Sequence, residues 1–168
     1  MNIKNTLSIF RLKTGQTDIN SVLIFIFMLA FSILVGYLLL SNFNTNVQST
    51  TMSTESKTLL QDRTDDFPSV WDNAFIVIFI SLALGLLLSG YLIDTYPVFF
   101  VVNLLLLLFS IVLAAVISNT FYAIESSGAF VFAESVFPKM HYVMNHLAHL
   151  VVVMGFLFVI GLYAKVRE

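Results

Sequence analysis

The sequence VFFVVNLLLLLFSIVLAAVIS, residues 98–118, decides the class of protein, because it carries no charged side chain over its 21 residues. A helix of this length is about 32 Å long at about 1.5 Å per residue, and the hydrocarbon core of a bilayer is about 30 Å thick. Lipid offers no hydrogen-bond partner to a bare backbone, so a lipid-embedded run must be helical. The sequence therefore predicts a transmembrane helix at residues 98–118.

Three further runs are equally free of charge: residues 21–41, 74–93 and 147–164. We predict from them an all-α integral membrane protein, a single membrane domain with four transmembrane helices. Residues 94–97 (DTYP) separate the second run from the third. So short a connection predicts a tight helical hairpin, with Pro97 in the first turn of the next helix, where its missing N–H costs nothing.

Composition narrows the class of function. Hydrophobic residues make up 58% of the chain and charged residues 11%, against about 45–50% and about 25% in soluble domains. The net charge is −2, so no basic surface for nucleic acid is expected. The chain has no cysteine, which excludes disulfides and thiolate chemistry. Because the sequence also has no catalytic or phosphate-binding motif, we expect a non-enzymatic protein that binds no cofactor or metal.

Three polar or mixed segments lie outside the apolar runs. Residues 1–20 combine basic side chains with an apolar stripe, which predicts an amphipathic helix lying on the membrane surface. Residues 42–73 form a polar, acidic connector, which is either a loop or an extension of the first helix that turns at residues 67–68. Residues 119–146 mix glutamates with aromatic side chains, which predicts an interfacial connector with a short helix ending near Pro138.

The distribution of basic residues predicts the orientation in the membrane. Four spans place both termini on one side, and that side carries five of the eight basic residues. The positive-inside rule therefore predicts that both termini are cytoplasmic if the chain inserts into a bacterial inner membrane.

Small residues recur at intervals of four within the apolar runs, a pattern that lets helices approach closely in lipid. The amide of Asn103, inside the third run, is a further candidate for contact between helices. The pattern predicts helix packing within the chain or between copies, and the sequence leaves both open. The small residues are Ser32 and Gly36 in the first run, Ser81, Gly85 and Ser89 in the second, and Ser110, Ala114 and Ser118 in the third.

A cluster of imidazoles precedes the last run. On a continuous helix His141, Asn145 and His149 would share one face, and His146 lies three residues before His149. Such spacing suits a zinc site or a sensor of pH near about 6.5. However, no carboxylate or cysteine lies within the same two turns, so we favour polar residues at the entry of the fourth helix, with metal binding and a pH role as alternatives.

Four strings of sequence resemble small multi-span membrane proteins of tailless, lipid-containing phages from marine and other environments. The resemblance covers about residues 65–165, includes no catalytic motif and transfers no functional residue. It implies a structural protein of the virion's internal membrane, in an oligomer with itself or with membrane or capsid proteins. The strings are FPSVWDNAF (67–75), LIDTYPVFF (92–100), SNTFYAIESS (118–127) and FPKMHYVMNHL (137–147).

Two other functions remain open at the level of sequence. A small protein with several apolar helices also suits a holin-like pore former that lyses the cell, although the charged tail at residues 164–168 is short for that class. An accessory subunit of a host membrane complex is the other alternative.

Overall fold

The computed structural model describes residues 19–92 and 97–166, without the side chains of residues 89–92, 97–100, 103 and 161–166. All regular elements in these ranges are α-helices, so the predicted all-α class is confirmed. The predicted surface helix, up to residue 18, and residues 94–96 of the predicted hairpin connection lie outside the described residues. The helices are α1 (Ile19–Gln48), α2 (Thr54–Leu92), α3 (Pro97–Glu125), α4 (Ala133–Val136), α5 (Pro138–Asn145) and α6 (Leu147–Val166).

Three of these helices are long and apolar enough to cross a membrane: α1, α2 and α3. Helices α5 and α6 meet the same criteria only as a pair, and the pair is bent by 66°. The described residues therefore contain three helices that can span a bilayer, or four if the bent pair forms one span.

The polar connector between the first two runs is helical almost throughout. Helix α1 continues past its apolar run to Gln48, and α2 already begins at Thr54, so only residues 49–53 form a turn. Ser53 precedes α2 and its hydroxyl accepts the backbone N–H of Ser56 at 3.4 Å, which favours a helix start there. The chain does not turn at residues 67–68, because Pro68 lies inside α2.

Polar side chains hold the ends of α1 and α2 together beyond the apolar runs. The amide of Asn44 donates to the Gln61 oxygen at 2.7 Å, and Asn44 in turn accepts from Gln48 at 3.0 Å. The Lys57 ammonium donates to the carbonyl oxygens of Gln48 and Thr50 at 2.8 and 2.7 Å. A cation at the C-terminal end of a helix is favourable for the helix dipole, so Lys57 stabilises the end of α1.

Four long helices form the bundle. Helix α1 packs against α2 and α3, and α6 packs against the same two helices from the other side. Within the described residues α2 and α3 make at most marginal contact, so these two consecutive helices lie diagonally across the bundle. Within the described residues, the small residues of α2 therefore do not form a packed interface with those of α3. The largest fully buried side chains include Leu34, Phe75, Phe121 and Leu147, one from each long helix.

The second connector folds back over one end of the bundle. After α3 ends at Glu125, a turn leads into the short helix α4, which ends at Val136, two residues before Pro138. Pro138 then starts α5, a position that suits proline because its missing N–H costs nothing there. Aromatic rings attach the connector to α1: the Tyr37 ring centroid lies 5.0 Å from that of Phe132 and 5.5 Å from that of Phe137.

Candidate functional site

Two buried carboxylates lie against the connector. Asp72 of α2 and Glu125 at the end of α3 are each only 6% exposed. Both bind α5, the short helix that starts at Pro138. We call this group, formed by Asp72, Glu125, His141, Asn145 and the backbone of α5, the polar junction.

Asp72 caps α5 from another helix. Its Oδ1 accepts the backbone N–H of Met140 at 2.8 Å, and its Oδ2 accepts that of Lys139 at 3.2 Å. The residue at the N-cap position, Phe137, offers no side-chain hydrogen bond, so these N–H groups would otherwise lack an acceptor. An anion at a helix N-terminus also interacts favourably with the helix dipole. Asp72 therefore performs the capping role that no residue of α5 performs.

Glu125 holds the other end of α5 through side chains. Its Oε1 lies 2.7 Å from Nδ1 of His141, which donates to it. Its Oε2 accepts the amide of Asn145 at 3.3 Å. The hydroxyl of Ser118, about two turns before Glu125 on α3, donates to the backbone oxygen of Asn145 at 3.0 Å. Helix α3 thus binds α5 where α5 ends.

The imidazole cluster predicted from sequence is divided by a helix break. The bend between α5 and α6 falls at His146, so His149 does not share a face with His141 and Asn145 as the prediction for a continuous helix required. His146 stacks on Tyr142 with ring centroids 4.4 Å apart, and its Nδ1 donates to the backbone carbonyl oxygen of Tyr142 at 2.9 Å. His146 and His149 are both exposed, with ring centroids 6.2 Å apart.

The imidazole cluster has a carboxylate partner after all, and this carboxylate belongs to a different helix. Glu125 precedes His141 by 16 residues, so no inspection of neighbouring turns could find it. Across the described residues, no group of three or more histidine, cysteine and acidic side chains is arranged to hold a metal ion.

The small residues of α3 face the inside of the bundle. Ser110, Ala114 and Ser118 are all buried, and the Ser110 hydroxyl donates to Oδ1 of Asn20 on α1 at 2.9 Å. The small residues of α3 therefore pack within the chain.

The small residues of α1 and α2 are more exposed than those of α3. Ser32, Ser81 and Gly85 are exposed, and a Cβ built at Gly85 would meet nothing within 4 Å. Gly36 is partly buried, and a Cβ there would lie 3.6 Å from the Phe67 ring. The side chains of Ser89 and Asn103 lie outside the described residues.

Sequence reasoning missed one close approach of two helices. A Cβ at Gly155 of α6 would overlap the side chain of Leu107 on α3, so the missing side chain of the glycine leaves the space that this leucine occupies. A glycine inside an apolar run can mark such an approach, but the partner helix cannot be identified from that signal alone.

No protein-family model matches the chain, and no curated protein or solved structure matches it either. Among the described residues, each buried side-chain nitrogen or oxygen atom has a hydrogen-bond partner. The carboxylates of the junction join α2 and α3 to α5, which is what a clamp between helices requires.

Proposed function

We propose that the protein is a non-enzymatic structural component of a membrane, in which α1, α2, α3 and α6 cross the bilayer. In this proposal a tight hairpin at residues 94–97 joins α2 and α3. The polar ends of α1 and α2, together with the connector at residues 119–146, form a head on one side of the membrane. The polar junction carries the proposal, because Asp72 and Glu125 are engaged in holding helices together.

The energetics of buried carboxylates support a clamp. An unpaired charge in a low-dielectric bundle is costly, and hydrogen bonds from backbone or side-chain donors reduce that cost. Asp72 accepts hydrogen bonds from two backbone N–H groups. Glu125 accepts one from the His141 imidazole and one from the Asn145 amide. These contacts fix the connector on the bundle and give the head a defined shape on which a partner can assemble.

The setting we propose is the internal membrane of a phage virion, because of the resemblance over residues 65–165. The head would then contact a capsid or membrane protein, and both termini would lie on the opposite side of the bilayer. Purified virions that contain this chain at a fixed number of copies would support the proposal. A chain found in the host membrane and never in the particle would contradict it.

The number of spans is testable by labelling, because the chain has no cysteine of its own. Single-cysteine variants are exposed to a membrane-impermeant maleimide from each side of the membrane. We expect Ser56→Cys and Glu134→Cys to react from the same side, and Arg167→Cys to react only from the other side. Reaction of Arg167→Cys from the same side as Glu134→Cys would contradict the crossing by α6.

Induced expression of the chain alone separates a structural role from a pore. We expect the protein to accumulate in the membrane while the cells keep their membrane potential. Abrupt permeabilisation would contradict the structural proposal and favour the holin-like alternative.

A further inference from the structure

A cavity lies between the four long helices. Its lining comes from the first two turns of α1, from the middle of the apolar runs in α2 and α6, and from Leu107 of α3. The cavity contains about 500 Å³ of space, counting the part that is open to the surroundings. Every described residue of the lining is apolar, so its side chains offer no hydrogen bond to an occupant.

The cavity lies halfway along the apolar runs. Ala83, Leu107 and Gly155 line it, and each is within about one residue of the middle of its own run. The Leu107 side chain occupies the space beside Gly155, so α3 and α6 are level at this point. In the membrane placement of the proposed function, on which this inference rests, the cavity is therefore near the midplane of the bilayer.

The lining and the depth exclude polar occupants. A buried water molecule needs two to four polar partners, and a polar solute that leaves water without gaining hydrogen bonds loses free energy. The segment of chain that precedes the cavity in sequence, residues 13–18 (KTGQTD), is polar and does not suit an apolar lining. An empty cavity is also unfavourable, because its lining loses dispersion contacts. At the midplane of a bilayer, the surrounding medium is hydrocarbon.

We propose that the cavity binds the end of an acyl chain of a membrane lipid. A hydrocarbon chain makes only dispersion and hydrophobic contacts, and the buried side chains of Leu23, Phe79 and Val151 provide these contacts. The bound acyl chain completes the packing between the four helices. The stability of the bundle therefore depends on lipid, beyond the general need of a membrane protein for an apolar solvent.

Photo-cross-linking with a lipid probe tests the proposal. The full chain is reconstituted in phosphatidylcholine vesicles that contain a small fraction of phosphatidylcholine with a diazirine near the methyl end of one acyl chain. After illumination, the modified residues are mapped by mass spectrometry. We expect adducts on Leu84 and Leu88, which are exposed to bulk lipid, and also on Phe79 and Val151, which are buried and line the cavity. Adducts on the exposed residues alone would overturn the proposal, whether the cavity is empty or filled by another part of the chain.

A variant that fills the cavity has a matched control at the next position of α2. Ala83→Phe adds a ring to the lining, whereas Leu84→Phe makes its change at an exposed position. We expect Ala83→Phe to reduce the adducts on Val151 at least about fivefold, because a close-packed site leaves no space for a second occupant. The adducts on Leu88 should not change, and Leu84→Phe should change neither. Equal adducts on Val151 in the two variants would contradict the proposal.

A second measurement covers the case in which Ala83→Phe disturbs the fold. Ala83→Leu fills less of the cavity, and its thermal unfolding is followed in detergent with and without added phosphatidylcholine. A ligand that binds only the folded state raises the Tm. We expect the lipid to raise the Tm of the unsubstituted chain and of Leu84→Phe by at least about 3 °C, and that of Ala83→Leu by less than half as much. An equal rise in all three chains would overturn the proposal.

The cavity proposal and the membrane placement fail in different ways. If the lipid probe modifies Leu84 and Leu88 but neither Phe79 nor Val151, the cavity proposal is wrong and the membrane placement stands. If the probe modifies none of these four residues although the vesicles contain the chain, α2 does not lie in the bilayer and the membrane placement itself is wrong.

Discussion

Helices α2 and α3 have similar patterns of small and acidic residues, but these residues make different contacts in the fold. Each carries small residues at intervals of four, and each has one buried carboxylate beside the polar junction. The stripe of α3 is buried, whereas Ser81 and Gly85 of α2 are exposed. Asp72 of α2 binds backbone N–H groups, whereas Glu125 of α3 binds side chains. The comparison teaches that spacing marks a residue as suitable for contact, while the arrangement of the bundle decides which contacts form.

The largest expected effect comes from the carboxylate of α2. Asp72→Ala removes the acceptor of two backbone N–H groups at the start of α5, and each unsatisfied group costs about 1–3 kcal/mol. We expect the free energy of unfolding to fall by about 2–4 kcal/mol, measured by denaturant titration in detergent micelles. Asp66→Ala is the matched control, because Asp66 is exposed on the same helix and should change stability by less than about 0.5 kcal/mol. Equal effects of the two variants would contradict the capping role.

The second prediction compares the two stripes directly. Ala114→Leu places three more carbon atoms at a fully buried position of α3, and overpacking of this kind costs about 1–3 kcal/mol. Ser81→Leu makes a similar enlargement on the exposed stripe of α2 and should stay within about 0.5 kcal/mol. Thermal unfolding of both variants in the same detergent provides the measurement. A larger loss for Ser81→Leu would show that the bundle is arranged differently.

The carboxylate of α3 should have a smaller effect than that of α2. Glu125→Gln keeps the size of the side chain but removes the charge on the acceptor of the His141 N–H, and hydrogen bonds to charged groups exceed neutral ones by about 1 kcal/mol. We expect a loss of about 1 kcal/mol in unfolding free energy, with faster hydrogen exchange in α5. Glu134→Gln, at an exposed position of α4, should leave both quantities unchanged. Unaltered exchange in α5 of the Glu125→Gln variant would count against the clamp.

The smallest effect is expected at two glycines, where the signs should differ. Gly155→Ala forces Leu107 out of its position, and an off-rotamer side chain costs about 0.5–1.5 kcal/mol, part of which the better helix propensity of alanine offsets. We expect a small net loss that the second substitution Leu107→Ala relieves. Gly85→Ala meets no neighbour and should stabilise the protein slightly. A stabilising Gly155→Ala would mean that α3 and α6 do not approach closely there.

The helical class could be predicted from sequence because absence of charge over a long run is a local property. Over the residues that the structure describes, each of the four apolar runs lies within a helix. The ends of the helices were less predictable, since α1 and α2 continue into the polar connector. Amide pairs such as Asn44 and Gln61 hold them there, and such pairs join residues that are distant in sequence.

The polar junction could be predicted only in part. The sequence places His141 and Asn145 in one predicted polar cluster, but their partner Glu125 comes from another helix. Asp72 lies 68 residues from Met140, whose N–H it accepts, so its capping role follows from the fold alone. The prediction for His149 was wrong because periodicity assumes a continuous helix, and the chain bends at His146.

Membrane depth tests the central claim of the account most directly. Spin labels at the exposed positions Leu84, Val112 and Phe156, one on each of α2, α3 and α6, should be reached by oxygen and shielded from a water-soluble nickel chelate to similar extents. Labels at Asp62 and Glu134 should show the reverse, because both belong to the head. Nickel access at any of the first three positions, or a lipid-buried label at Glu134, would contradict a bundle that crosses the bilayer with its head on one side.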